Sequence, residues 1–109
     1  MGPFRDFKSN ESKQLFPGFN GRFEHGKDLT FSFWEIAEGS DLPEHSHPQE
    51  QVSIIIKGEL ELTIDGEAKV VKPGMMAMIP SNAVHSGKAL TACEVIDVFT
   101  PVREDYKFD

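Results

Sequence analysis

The sequence is short of several residue types, and each shortage excludes a class of protein. Its single cysteine, Cys93, rules out an internal disulfide and gives no sign of an oxidising compartment. Eleven basic residues against eighteen acidic ones leave a net charge of −7, which argues against a protein that binds the phosphate backbone of a nucleic acid. No apolar run approaches the length that spans a bilayer, and the N-terminus lacks the apolar stretch of a signal peptide. We therefore expect a soluble, cytoplasmic protein without nucleic-acid or membrane partners.

The remaining composition predicts one ordinary globular domain. The acidity needs no partner to explain it, because solubility is reason enough. Cys93 lies in an apolar run with no cationic neighbour that would lower its pKa, so we expect a packed core thiol rather than a nucleophile. A chain of 109 residues has the length of one domain and buries about 65% of its unfolded surface, enough for one core. We predict a single domain over residues 1–109.

What the sequence does contain is a series of short runs of alternating or β-branched residues, each ended by Gly, Pro, Asn or Asp. In one run Leu60, Leu62 and Ile64 alternate with polar residues, the pattern of a strand with one buried face. Asp65-Gly66 then predicts a hairpin, because both residues tolerate the positive φ of a type I′ turn. This spacing, with no stretch of helical period, predicts an all-β sandwich or barrel. The predicted strands are Thr30–Ala37, Val52–Ile56, Glu59–Ile64, Ala68–Val71, Met76–Ile79, Ala83–Gly87 and Glu94–Phe99, with a weaker one at Arg22–His25.

Residues 1–20 carry apolar side chains among polar ones. We expect them to form an arm or strand packed on the barrel, of the same or of a neighbouring subunit, rather than a disordered tail. The apolar side chains are Phe4, Phe7, Leu15, Phe16 and Phe19.

A candidate metal site follows from the histidines. His45 and His47 stand at i and i+2, and on an extended chain such side chains point the same way. Gln51 keeps that parity, whereas Glu50 has the opposite parity and should point away. His85 follows the turn at residues 80–82 and is the fourth candidate ligand. Three imidazoles and an amide oxygen suit one divalent ion, with nickel, zinc, iron and manganese all compatible.

On its own, the His-x-His pair fits two surface histidines in a loop equally well. His25 lies outside the arrangement, and we interpret it as a solvated loop residue.

Two longer motifs carry a resemblance to a known family. Gly39-x5-His45-x-His47-x3-Gln51-x6-Gly58 resembles the first cupin motif, at residues 39–58, with Gln in the usual Glu position. Gly74-x5-Pro80-x-Asn82-x2-His85 resembles the second, at residues 74–89, with Asn replacing a Gly and Ala89 replacing a closing Asn. The resemblance implies a small RmlC-like cupin, an all-β double-stranded β-helix or jelly-roll barrel. It also implies one divalent metal ion on His45, His47, Gln51 and His85.

The departures from the motifs have a chemical meaning. Asn tolerates the left-handed conformation that Gly supplies, so Asn82 is a mild change. Gln51 in place of Glu leaves four neutral ligands, and the charge of the ion is then uncompensated. Such a site favours an anionic ligand, for example a carboxylate, at its open positions.

The last predicted strand contains an acidic residue among apolar ones. Asp97 shares its parity with Val95 and Phe99, so its side chain should point into the barrel, where a carboxylate needs a partner or a wet cavity. A structural Asp bonded to a loop is the alternative. Arg103 follows Pro101 and could fold back over the barrel mouth, where it would pair with a substrate carboxylate or with Asp97. A plain surface Arg beside Glu104 and Asp105 is the alternative for that residue.

The segment from Asp97 to Tyr106 resembles the C-terminus of the pectin-degradation (KdgF-like) cupins, and the similarity extends over most of residues 39–106. In that family a metal and an Asp/Arg pair convert 4,5-unsaturated monouronates from pectin or alginate to linear keto-sugars. The resemblance therefore implies Asp97 as the general acid/base and Arg103 as the residue that orients a carboxylate-bearing substrate.

Two other interpretations stay open. One is a cupin dioxygenase or isomerase that acts on another small acid through the same ligands. The other is a non-catalytic cupin that binds a small molecule. Small cupins commonly dimerise through N-terminal strands, so we also expect a homodimer.

Overall fold

The computed structural model describes residues 2–108, and these form ten β-strands with two short 3₁₀ helices. The all-β prediction is confirmed. The strands are β1 (Lys13–Phe16), β2 (Phe19–His25), β3 (Thr30–Ile36), β4 (Asp41–His45), β5 (Glu50–Lys57), β6 (Leu60–Ile64), β7 (Glu67–Val71), β8 (Met76–Ile79), β9 (His85–Ala89) and β10 (Cys93–Thr100). The 3₁₀ helices are Phe7–Ser9 and Glu104–Tyr106. No helix in residues 2–108 has the length and apolar character that crossing a membrane requires.

The strands form two antiparallel sheets. One has six strands in the order β1-β2-β3-β10-β5-β8, and the other has four in the order β4-β9-β6-β7. Alternation fixes which residues face inward: on β5 and β10 every second residue is buried. The core between the sheets comprises Phe19, Trp34, Ile36, Ile55, Leu60, Leu62, Val71, Ala89, Cys93 and Val95. Cys93 is therefore a core thiol as predicted, and burial raises its pKa.

Two turns have the backbone expected of their residues. Asp65 and Gly66 both take positive φ, 48° and 85°, and join β6 to β7 as the predicted hairpin. Asn82 takes φ 63°, the left-handed conformation for which Asn is suited. This turn delays the start of β9 to His85, whereas the sequence predicted a strand from Ala83.

Two strands lie outside the eight listed strand predictions, and both are at sheet edges: β4, and β1 in the segment predicted as an arm or strand. β4 reads Asp-Leu-Pro-Glu-His, which has one aliphatic residue and a proline. It resembles a loop in composition, but an edge strand tolerates proline because one side of it needs no ladder hydrogen bond. Among residues 2–108, β1 pairs with β2 alone, at the far edge of the six-stranded sheet.

The N-terminal segment packs on the barrel of its own chain. Phe7 stacks against Phe31 and Phe33 on β3, with ring centroids 5.0 and 5.2 Å apart. β1 then extends the sheet beside β2. Residues 2–20 thus contain the packed 3₁₀ turn at Phe7–Ser9 and the edge strand β1, and Met1 lies outside the described residues.

Candidate metal centre

The three cluster histidines and Gln51 come from both sheets. His45 ends β4 and stands opposite His85, which begins β9 in the four-stranded sheet. Gln51 is the first inward-facing residue of β5 in the six-stranded sheet, and Glu50 beside it is exposed, as predicted. His47 lies in the short loop between β4 and β5. The two sheets thus close around the four side chains that the motifs selected.

The three imidazoles form a compact cluster. One nitrogen of each of His45, His47 and His85 lies within 4.8 Å of the others, a spacing at which they could hold a metal ion. The ring centroids of His45 and His85 are 4.1 Å apart, and those of His47 and His85 are 4.9 Å apart. Such proximity of three basic rings is costly unless they are neutral or share a cation.

Backbone carbonyls select the tautomer of each ring. The Nδ1 of His45 lies 2.8 Å from the Pro43 oxygen, that of His47 is 3.0 Å from the Gln49 oxygen, and that of His85 is 2.9 Å from the Ala83 oxygen. A carbonyl only accepts, so each Nδ1 carries the hydrogen and each Nε2 offers a lone pair. Histidines that ligate a metal commonly donate their other ring hydrogen in this way, which fixes the orientation of the ring.

His85 supplies the clearest test of whether a metal fits. Its side chain is 2% exposed, and among residues 2–108 its Nε2 has no hydrogen-bond partner. A buried lone pair without a partner costs free energy, and a coordinated cation would remove that cost. Burial also lowers the pKa of His85 to about 4 and lowers that of His47. Both rings are therefore neutral at neutral pH, the form that binds a metal.

Gln51 presents its oxygen to the cluster. Its Oε1 lies 3.0 Å from the Nε2 of His47, while its Nε2 donates to the Oγ of Ser53 at 2.9 Å. Two lone pairs that face each other repel, and a shared cation would remove that repulsion. The three imidazoles could therefore hold a metal ion, and the Gln51 oxygen faces the same cluster.

Asp97 is linked to Gln51 by two hydrogen bonds that pass through the hydroxyl of Ser53. Ser53 donates to its Oδ1 at 2.6 Å, and Ser53 and Asp97 are directly opposite each other in the β5–β10 ladder. The side chain shares its face with Val95 and Phe99, as its parity predicted. Burial raises the pKa of Asp97 to about 6, against the opposing effect of the Ser53 hydrogen bond. A carboxyl group with this pKa can both hold and release a proton near neutrality.

Arg103 returns to the barrel but does not pair with Asp97. Its guanidinium makes a two-pronged contact with Asp105, with Nε–Oδ1 at 3.0 Å and Nη2–Oδ2 at 2.8 Å. The same group stacks on Tyr106, 4.0 Å from the ring centroid, and lies 4.9 Å from that of Phe99. Arg103 is buried, so the alternative of a plain surface Arg is wrong. So is the pairing with Asp97, because Asp105 is two residues away and takes both prongs of the guanidinium.

One cavity joins these groups. It lies between the sheets, and its walls carry both the metal candidates and the acid–base candidate. Among the residues that line it are His45, Gln51, His85, Asp97, Arg103, Phe99, Trp34 and Tyr106. The arrangement brings the imidazoles of His45 and His85, an amide oxygen, a carboxyl group of raised pKa and a guanidinium around one space.

Comparison with known proteins identifies the family. A sequence model described as "Cupin domain" matches residues 32–99. This chain belongs to the cupin family. It is 31% identical over 81 residues to the pectin degradation protein KdgF of Dickeya dadantii (strain 3937). The aligned region covers 72% of this cupin and 74% of that protein. It is therefore a KdgF homologue at modest identity.

Two solved structures are similar to this cupin over nearly its whole length. The KdgF from Halomonas sp. superimposes with a TM-score of 0.90 at 25% identity, covering 98% of this chain and 100% of the other. An RmlC-like cupin from Shewanella frigidimarina NCIMB 400 gives 0.91 at 25% identity, with 98% and 97% covered. The predicted cupin barrel and the resemblance to KdgF-like and RmlC-like proteins are confirmed.

Sequence reasoning misjudged one histidine of this cupin. His25 is not a solvated loop residue: it ends β2, half-buried, with its Nδ1 2.9 Å from the Thr30 Oγ1 and its Nε2 3.1 Å from the Tyr106 carbonyl oxygen. The long separation between His25 and Tyr106 left no local signal of this contact.

The sequence also did not single out Ser53 as a functional residue. Its parity with Gln51 placed it on the inward face, which was the available signal. Its hydrogen bond to Asp97 depends on the register between β5 and β10, which no local pattern encodes.

Proposed function

We propose that this cupin is a metal-dependent enzyme that opens the ring of 4,5-unsaturated uronates to the linear keto form. The observation that carries the proposal is the position of Asp97, a buried carboxyl group of raised pKa joined to Gln51 through one hydroxyl. The similarity to two KdgF proteins, one named for pectin degradation, supports the substrate class.

The reaction asks for proton transfer and charge stabilisation, and the cavity offers both. Ring opening is an isomerisation: the anomeric hydroxyl loses a proton, the ring C–O bond breaks, and a ring carbon gains a proton to give the ketone. No oxidant or reductant is needed. Asp97 is the group that takes up and returns the proton, because its pKa of about 6 lies near the working pH. A divalent ion on His45, His47, His85 and Gln51 would supply a Lewis acid for an oxygen of the substrate.

Arg103 is the residue that recognises the substrate carboxylate. Its guanidinium borders the cavity and is held by an exposed partner, Asp105, and by the face of Tyr106. A uronate carboxylate can share or replace the Asp105 contact, because guanidinium groups bind carboxylates in the same two-pronged geometry. A divalent ion on four neutral ligands would keep its full positive charge, and that charge would also favour an anionic substrate.

The test is incubation of the metal-loaded protein with unsaturated galacturonate and unsaturated guluronate, following the loss of the enol-ether absorbance. We expect turnover in the wild type and a roughly 10²–10⁴-fold lower rate in Asp97→Asn, with metal content unchanged. Asp28→Asn is the matched control, because Asp28 is exposed in the β2–β3 turn, away from the cavity. It should retain the wild-type rate.

Other outcomes would replace the proposal. Turnover of Asp97→Asn at the wild-type rate would remove Asp97 from the chemistry. Tightly bound iron(II) with oxygen uptake on another small acid would favour the dioxygenase interpretation. Stabilisation by a uronate with no turnover at any metal loading would favour a non-catalytic binding protein.

A further inference from the structure

Ser53 stands between the metal candidates and the buried acid. Its Oγ accepts from the Nε2 of Gln51 at 2.9 Å and donates to the Oδ1 of Asp97 at 2.6 Å. A hydroxyl has one hydrogen, so donation to a carboxylate obliges it to act as acceptor toward the amide. This polarity turns the NH₂ end of Gln51 toward Ser53 and leaves Oε1 toward His47.

We infer that Ser53 is a positioning residue that holds Gln51 with its oxygen toward the metal. An amide has two nearly isosteric ends, and only the oxygen can ligate a cation. Without the Ser53 hydroxyl, the NH₂ group would keep only the nearby Asp97 carboxyl as a partner, and the amide would rotate or donate to the lone pair of His47 more freely. Ser53 is 2% exposed, so its hydroxyl makes its hydrogen bonds within the barrel, to Gln51 and Asp97. The inference rests on the metal site of the proposed function, but not on its substrate.

The experiment measures metal affinity in the absence of substrate, so it is separate from the test of turnover. Zinc(II) is titrated into the metal-free wild type, Ser53→Ala, Ser53→Thr and Gln51→Ala, and into the double variant. We expect Ser53→Ala to bind zinc about tenfold more weakly. Ser53→Thr should recover most of the loss, since it keeps the hydroxyl. In the Gln51→Ala background, Ser53→Ala should weaken binding no further.

The control is Ser32→Ala, which removes another buried hydroxyl that accepts from Trp34 and does not contact Gln51. It should bind zinc as the wild type does. The visible absorption of the cobalt(II)-loaded protein should change in Ser53→Ala and return in Ser53→Thr. Equal zinc affinity of Ser53→Ala and Ser32→Ala, or an undiminished loss in the Gln51→Ala background, would overturn the inference.

Discussion

Asp97 sits on a strand whose other inward-facing residues are apolar or sulfur-bearing: Cys93, Val95 and Phe99. Its carboxylate is taken out of water, and one hydroxyl from Ser53 is a partial replacement for the lost hydration. The raised pKa therefore lowers the free energy of unfolding near neutral pH, because the Asp97 carboxyl group ionises less readily in the folded chain than in the unfolded chain.

That cost predicts a stabilising substitution at the candidate catalytic residue. The pKa of Asp97 rises from 3.8 to about 6 on folding, which corresponds to about 3 kcal/mol of lost stability above pH 6. The cost fades as the pH falls toward 3.8, because the protonated form is then present in both states. Asp97→Asn should therefore make the metal-free protein more stable at pH 8, by up to about 3 kcal/mol, and leave it nearly unchanged at pH 4. Urea denaturation at both values measures this. Equal gains at pH 8 and pH 4 would mean that charge burial is not the cause.

At the scale of elements, the C-terminal tail, residues 101–108, is tied to the β2–β3 hairpin. The backbone N–H of Arg103 donates to the Thr30 Oγ1 at 2.8 Å. The Thr30 hydroxyl then has its own hydrogen free to donate to the Nδ1 of His25, and the His25 Nε2–H donates to the Tyr106 carbonyl oxygen. This chain of bonds holds the segment that brings Arg103 and Tyr106 to the cavity.

We expect His25→Ala to loosen the tail without affecting the metal cluster. Amide hydrogen exchange in residues 101–108 should accelerate roughly fivefold, since one hydrogen bond of about 1 kcal/mol is lost, while β5 and β9 keep their protection. If the proposed function holds, KM for the uronate should rise more than kcat falls. Unchanged exchange in the tail would show that the aromatic stacking of Tyr106 on Phe23 and Phe99 holds it alone.

At the scale of the whole molecule, the metal candidates connect the two sheets. His45 and His85 belong to the four-stranded sheet, and Gln51 belongs to the six-stranded sheet. An ion held by all of them would bind only the folded barrel, so its binding free energy adds to stability.

Metal loading should therefore raise the melting temperature. At an ion concentration 100 times the Kd, the gain is about 2.7 kcal/mol, which corresponds to a rise of roughly ten degrees or more for a domain of this size. A chelator should reverse the rise, and His85→Ala should abolish it. His25→Ala is the matched control, because His25 lies outside the cluster and should keep the metal response. A metal response that persists in His85→Ala would place the ion elsewhere. Differential scanning calorimetry measures each case.

Much of this architecture could be predicted from the sequence because it depends on local periods and backbone preferences. Alternation over Leu60, Leu62 and Ile64 predicted a half-buried strand, and Asp65-Gly66 predicted its hairpin. The parity of His45, His47 and Gln51 predicted their shared face. The order of two motifs predicted that His85 joins them, although this step came from resemblance to a family rather than from geometry.

Only the tertiary structure decided which distant groups meet. Ser53 and Asp97 are 44 residues apart, and they bond because β5 and β10 pair in one particular register. His25 bonds the carbonyl of Tyr106, 81 residues away, because long-range packing brings the two together. Arg103 instead bonds Asp105, its near neighbour in the chain, rather than Asp97. β4 became a strand because a neighbouring strand completes its ladder, despite its loop-like composition. Local sequence sets the period of each strand, whereas register between strands depends on the packing of the whole barrel, and the chemistry of the site depends on that register.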